Sequence, residues 1–118
     1  MKYMLLLTTD PKAGPQEGTP EFDDEMSRWN ALNEEMKRAG VYVVASGLQL
    51  PDCATTLRAH DGEPVLSDGP FAETKEMLFS FYVIDVPDLD AAAEWAAKTP
   101  VASYGSVEIR PTQGYESL

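Results

Sequence analysis

The run Leu78-Phe79-Ser80-Phe81-Tyr82-Val83-Ile84-Asp85-Val86 constrains the fold of this chain most. It is short for a helix and rich in aromatic and β-branched residues, so it predicts a strand. Strict alternation sends Phe79, Phe81 and Val83 to one side and Leu78, Tyr82 and Ile84 to the other. Only Ser80 and Asp85 interrupt the apolar pattern, which therefore predicts a strand covered on both faces. The fold follows from what the rest of the chain can offer as covers.

Lys2 to Thr9 reads as a second buried strand, a continuous apolar run (Tyr3 to Leu7) ending in two threonines. A Pro- and Gly-rich loop follows. Thr19-Pro20 then starts a helix, with Thr19 as cap and Pro20 at the first helical position, where its missing N–H is no loss. Phe22, Met26, Trp29, Leu32 or Asn33, and Met36 recur at helical spacing and predict one apolar face. Trp29 and the methionines read as sheet-facing core, with a pocket lining as the other use of the same residues. Asp23, Asp24 and Glu25 suit the positive end of the helix dipole and Lys37 and Arg38 the negative end. Gly40 stops the helix. Val41 to Leu48 predicts a strand in which Gly47 suggests a bulge or a close approach. Thr55 to His60 and Glu63 to Ser67 form a hairpin around Asp61-Gly62, a dipeptide suited to positive φ. After the central strand, Asp88 caps a helix from Leu89 to Lys98 with small inner residues Ala92, Ala93 and Ala96, ended by Pro100. Ser106 to Arg110 alternates, with Val107 and Ile109 inward. The tail from Pro111 to Leu118 is expected to be mobile at its end.

With the hairpin set aside, the order is βαββαβ, the split ferredoxin-like unit, an α+β class with an inserted β-hairpin. Two helices cover one face of an antiparallel sheet and leave the other partly bare. Burial against a second copy is the simplest cover, so the pattern predicts a two-fold homodimer. A length of 118 residues predicts one domain over residues 1–118. The single cysteine, Cys53, excludes an intrachain disulfide and fits a cytoplasmic location. The apolar run from Met1 to Leu7 is too short for a membrane span and has no cleavage site behind it. With 20 acidic and 9 basic side chains the net charge is −11. That field repels phosphate backbones and anionic lipid, so neither nucleic acid nor membrane is an expected partner.

The densest chemistry lies in Ser67-Asp68-Gly69-Pro70-Phe71-Ala72-Glu73-Thr74-Lys75-Glu76. Asp68-Gly69-Pro70 reads as a turn, with Asp68 either closing an Asx-turn or acting as an acid–base group. Phe71 is a core plug or a pocket wall. In an extended segment Glu73 and Lys75 share one face and Thr74 and Glu76 the other. Glu73 is the candidate general base, and Lys75 would orient an anionic group. A surface ion pair worth ~0–1 kcal/mol is the competing account of the same charges. Ser46, Gly47 and Arg58 on neighbouring strands complete the candidate ligand site, drawn as a pocket between the sheet and the first helix. Cys53 and His60 are isolated, and no loop gathers enough carboxylates for calcium, so no metal is expected. No Gly-rich phosphate loop is present, and nothing in the chain asks for a cofactor.

The string Asp68 to Glu76 resembles the DGPF-containing branch of the YCII-related superfamily. The opening Met1 to Leu6, Gly40-Val41 to Gly47-Leu48, Ala54 to Arg58 and Gly105 to Pro111 agree, so the resemblance spans nearly the whole chain. It implies a dimeric α+β barrel of ferredoxin-like units. Its functional content is thin: members are mostly uncharacterised, sometimes described as transcription-initiation related because the domain can occur beside sigma factors. YCII-type founders are thought to use a first-helix histidine with an aspartate as an acid–base pair. Aligning the helix end at Gly40 places Trp29 near that histidine, and the sole histidine here is His60, beside the hairpin turn. The resemblance therefore carries no His–Asp mechanism onto this helix. Two functions remain: a small-molecule-binding protein, with acid–base chemistry on a polar metabolite as its most specific form, or a non-catalytic regulatory or protein-interaction module.

Overall fold

A computed structural model describes residues 1–113; the expected mobility at the end of the tail lies outside them. The elements are β1 (Lys2–Thr9), α1 (Pro20–Arg38), β2 (Tyr42–Gly47), β3 (Thr55–His60), β4 (Glu63–Asp68), β5 (Met77–Asp85), α2 (Leu89–Ala97) and β6 (Ser106–Pro111). One sheet has the order β2-β5-β1-β6, antiparallel at every pairing, and β3-β4 forms a separate hairpin. This is the α+β arrangement expected, with the hairpin inserted between β2 and β5. Among the described residues no helix is long and apolar enough to cross a membrane.

Helix α1 begins where its cap chemistry places it. The Thr19 hydroxyl accepts from the Phe22 amide at 3.2 Å, and Pro20 follows. Its buried row is Glu25, Leu32 and Met36, with Trp29 half-buried, while Met26 is 43% exposed. The inner face is thus rotated slightly from the one the apolar spacing predicts. Glu25 is tolerated inside because the Tyr104 hydroxyl donates to its Oε2 at 2.9 Å. In α2, Ala92 and Ala96 are buried but Ala93 faces out. Asp88 caps this helix by accepting from the Ala91 amide at 2.9 Å.

The core lies between the helices and one face of the sheet. Leu5, Leu7, Met36, Ile84, Ala92 and Val101 are completely buried there, joined by Tyr3, Leu32 and Tyr82. The register of β1 and β5 slips once: Leu7 pairs with Ser80 and Thr8 with Leu78, which leaves Phe79 as the extra residue of a bulge. The Phe79 ring then meets Trp29 edge-on at 6.4 Å, on the helix side with Tyr82. Strict alternation had put Phe79 on the far face with Phe81; the bulge overturns it. A second slip leaves Val43 without a cross-strand partner in β2. Gly47, where a bulge or close approach was expected, pairs regularly with Ser80, and a side chain there would meet nothing within 4 Å.

The other face of the sheet carries Met4, Leu6, Val44, Phe81 and Val83, and neither helix reaches it. Val83 is buried by its own neighbours, Met4 and Val44 opposite it, but Val44 is 38% exposed and nearby Leu78 40%. The molecule is a slab of 48 × 40 × 19 Å with a radius of gyration of 16.1 Å. A compact chain of this length would have a radius of about 13 Å. The difference reflects the β3–β4 hairpin, which stands out as an arm. Its turn follows the predicted chemistry, with Asp61 at φ 50° and Gly62 at φ 82°.

Candidate functional site

The segment after β4 is tied to the polar face of the arm. Gly69 turns the chain with φ 101°, and its amide donates to the Ala54 carbonyl at 2.8 Å. The Thr56 hydroxyl donates to the Gly69 carbonyl at 2.7 Å. Arg58 Nη2 donates to the Phe71 carbonyl at 2.7 Å, and its guanidinium lies 4.8 Å from the Phe71 ring centre. The Thr74 hydroxyl donates to the Glu76 carbonyl. Asp68 itself ends β4 opposite Thr55.

Beneath this segment lies an open cavity of ≈ 1170 Å³. Its base is Thr8, Met77 and Leu78 at the end of the sheet. One wall is the β2–β3 connection from Leu48 to Ala54, including the short 3-10 turn Pro51–Cys53. Thr55, Thr56 and Leu57 of the arm form a second wall, and Gly69 to Thr74 with Glu76 form a third. Phe71, 76% exposed, is a wall of this space and no core plug.

Of the residues singled out in the sequence, Phe71, Glu73, Thr74 and Glu76 line the cavity. Asp68, Lys75, Ser46, Gly47 and Arg58 do not. Arg58 is engaged in holding Phe71, and the Ser46 hydroxyl donates to the Gly47 carbonyl at 2.9 Å. The expected position between the sheet and α1 is also corrected. No α1 residue lines the cavity, because the helices occupy the opposite face of the sheet. Asp52 and Cys53 are lining residues that sequence reasoning missed. No periodicity marks a loop that folds back over a sheet end, and Pro51-Asp52 carries no local signal beyond the end of a strand pattern.

The charged lining consists of Asp52, Glu73 and Glu76, with no lysine, arginine or histidine among the lining residues. The polar remainder includes Thr55, Thr56, Thr74, Gln49 and the Cys53 thiol, set against Leu48, Leu50, Leu57, Met77 and Leu78. Such a space favours a ligand with an apolar body and hydrogen-bond donors, neutral or cationic. An anion would find neutral donors there, but every charged side chain of the lining would repel it. Among the described residues no group of three His, Cys, Asp or Glu is gathered to hold a metal ion.

A second polar–aromatic cluster sits on the helix side. Trp29, the residue aligned with the founders' histidine, stacks on Tyr82 at 6.3 Å with 16° between the rings. The Tyr82 hydroxyl donates to Asn33 Oδ1. Burial, with a smaller contribution from the nearby Tyr42, pushes the Tyr82 phenol up from 10.0 to about 12. Burial and the hydrogen bond to Glu25 raise Tyr104 as well. Folding thus favours the protonated phenol. Its contribution to stability is complete below pH 10.0, the unfolded value, and is lost as pH rises toward about 12. Urea midpoints are expected to fall across that window, and Tyr82→Phe should flatten the fall. An equal slope in both proteins would remove Tyr82 as a cause.

Comparison with known proteins places this architecture. Residues 1–113 match the model of the YCII-related domain. An uncharacterized protein of Rhizobium meliloti (strain 1021) is 36% identical over 118 residues, covering 98% of this chain and 95% of that one. Among solved structures, the fold is similar to 5-chloro-2-hydroxyhydroquinone dehydrochlorinase from Burkholderia phenoliruptrix AC1100, in complex with 2,5-dihydroxybenzoquinone. The TM-score is 0.51 at 16% identity, over 96% of this chain and 94% of that one. At that identity the likeness concerns the fold. The family rests on the domain match over 113 of the 118 residues and on the rhizobial relative: this chain belongs to the YCII-related domain family.

Proposed function

We propose that this protein, as a member of the DGPF branch of its family, binds a small molecule in the cavity beneath the Asp68 to Glu76 segment. Acid–base chemistry by Glu73 is the most specific form of this reading. One observation carries it: Phe71, Glu73, Thr74 and Glu76 share one cavity of ≈ 1170 Å³ with an otherwise largely apolar wall. Ligand sites are typically spaces of about 300–1,000 Å³ with a few convergent polar groups, so the open trough has room for a small metabolite. A carboxylate such as Glu73 can take a proton from a bound hydroxyl or amine within hydrogen-bond reach. Lys75 and Arg58 lie outside the lining, so the ligand is a neutral or cationic donor rather than the anion first expected. Asp68 is left a structural role. A protein of similar fold holds a small quinone, which supports small-molecule binding as a class and carries nothing about the charge of the ligand. The working unit is a single domain, paired two-fold through the bare sheet face into a dimeric α+β barrel, in the cytoplasm. The exposed Phe71 favours one rival, a module that docks a protein partner.

The test is a thermal-shift screen of small amines, phenols and carboxylic acids against the parent, Glu73→Gln and Glu76→Gln. A ligand at about a hundred times its dissociation constant stabilises by ~2.7 kcal/mol, several degrees here. Amines or phenols should shift the parent, and at least one Gln variant should lose the shift while keeping its unliganded Tm. Hits confined to carboxylic acids, or hits indifferent to both substitutions, would refute this site. A blank screen would favour the interaction module.

A further inference from the structure

The Asp61-Gly62 turn fixes which backbone groups the β3–β4 arm directs outward. Both turn residues have positive φ, the geometry that closes a tight two-residue hairpin, so His60 and Glu63 face each other as a hydrogen-bonded pair. The same phase returns at the base of the arm, where the Gly69 amide donates to the Ala54 carbonyl. Hydrogen-bonded pairs alternate along an antiparallel ladder, so Arg58 with Val65 and Thr56 with Ser67 are the pairs between these ends. Thr55, Leu57 and Ala59 therefore direct their N–H and C=O groups away from β4. No third strand joins this sheet, and among the described residues no backbone hydrogen bond reaches these three from elsewhere. All three residues are exposed.

The other free strand edges are blunted. Pro64 stands on the outer side of β4 and has no N–H to offer. β2 slips at Val43, and β6 carries Glu108 and Arg110 and ends at Pro111. Bulges, charges and prolines are the usual guards of an open edge. The outer residues of β3 include none of these, and its one arginine, Arg58, is engaged on Phe71. The start of this strand, Thr55 to Leu57, is also a wall of the cavity.

We propose that an extended segment of another protein, with basic and apolar residues alternating, adds to the outer edge of β3 as a third strand and places its basic side chains in the cavity. Main-chain bonds to Thr55, Leu57 and Ala59 hold the segment, and its alternate side chains decide which sequence is accepted. Charge complementarity selects a basic one: the lining carries Asp52, Glu73 and Glu76 and no basic residue, in a chain of net charge −11. Glu73 and Glu76 follow the Gly69–Phe71 turn, which Thr56 and Arg58 hold on their own face of the arm. Lysines on that face of the added strand are the ones that reach them. On the opposite face Leu57, 63% exposed, offers a cross-strand contact to β-branched residues. A third strand also supplies the pairing that a two-stranded hairpin lacks in water. The inference deepens the cavity reading and rests on its acidic lining.

The probe is a fluorescein-labelled peptide, Gly-Val-Lys-Val-Lys-Val-Gly, followed by fluorescence anisotropy with the purified full chain. Two further versions carry backbone N-methyl groups, one on the valines and one on the lysines. An added strand directs alternate amides toward β3, so one methylated version should bind about tenfold more weakly and the other like the unmodified peptide. This readout needs no protein variant. Exchanging the lysines of the peptide for glutamates should abolish binding, and Glu73→Gln/Glu76→Gln should weaken the lysine peptide several-fold. A peptide that fails to bind, or that loses the same affinity in both methylated versions or in neither, would overturn the proposal. An edge already occupied by a second copy of the chain gives the first of these results. Small amines that shift the Tm through Glu73 or Glu76 while the peptide fails would leave the cavity reading standing without this one. Peptide binding with the alternating pattern and no shift by any amine would do the reverse.

Discussion

Replacing Leu5 with alanine is expected to lower the unfolding free energy by about 3 kcal/mol, within the usual 2–5 kcal/mol for such sites. Leu5 has no solvent exposure and sits on a central strand of the sheet, with Tyr82 and Ile109 as its cross-strand partners. It belongs to the cluster that joins the sheet to Leu32 and Met36 of α1 and to Ala92 and Ala96 of α2. Truncation removes transfer energy and leaves a cavity that two helices and three strands cannot collapse together to fill. The melting temperature should fall by roughly 10 °C at constant protein concentration. Leu6→Ala is the control: that residue faces the other side and is only half-buried in the single chain. Equal losses at the two positions would contradict the one-sided core.

Gly105→Ala is expected to destabilise by a comparable amount, about 3 kcal/mol, although it adds a single methyl group. A Cβ at this position would stand 2.5 Å from the Thr8 carbonyl oxygen, 2.6 Å from Val101 Cγ2 and 3.2 Å from Thr9 Cβ. The first obstacle is backbone in a paired strand, so no rotamer change relieves it. Gly105 also leads into the Ser106–Thr8 pairing, and its amide donates to the Val101 carbonyl at 2.7 Å. Relief therefore means lifting β6 off β1 or opening the turn before it. Gly47→Ala, where a side chain meets nothing within 4 Å, should change the melting temperature little. Chemical denaturation of the two variants side by side separates crowding from a general dislike of alanine. A Gly105→Ala protein as stable as the parent would show that β6 is held less closely than the geometry requires.

Much of the fold was legible because it rests on local chemistry. Thr19-Pro20 and Asp88 cap the helices, Asp61-Gly62 turns the hairpin, and apolar runs become strands where they were read. The errors occur where one element depends on another. Strict alternation gave Phe79 to the wrong face because a one-residue bulge is set by pairing with β1. Helical spacing chose Met26 over Glu25, since the hydroxyl that satisfies Glu25 arrives from Tyr104, 79 residues away. The candidate site divides the same way. Glu73, Thr74, Glu76 and Phe71 do share a cavity. Lys75 and Asp68 are not part of its lining, and Arg58 is committed to the Phe71 carbonyl and ring.

The amino-acid sequence by itself determined the order of elements, their ends, the α+β class and the segment that carries the densest chemistry. Those depend on propensity, capping and periodicity, which act over a few residues. Tertiary structure alone decided which face of the sheet the cavity occupies and that Asp52 and Cys53 belong to it. It also decided that the lining carries acidic but no basic side chains. Those outcomes follow from the helices filling the opposite face and from the β2–β3 connection folding back over the sheet end. Contacts of that kind join residues with no periodic relation in the chain, so no local pattern could announce them.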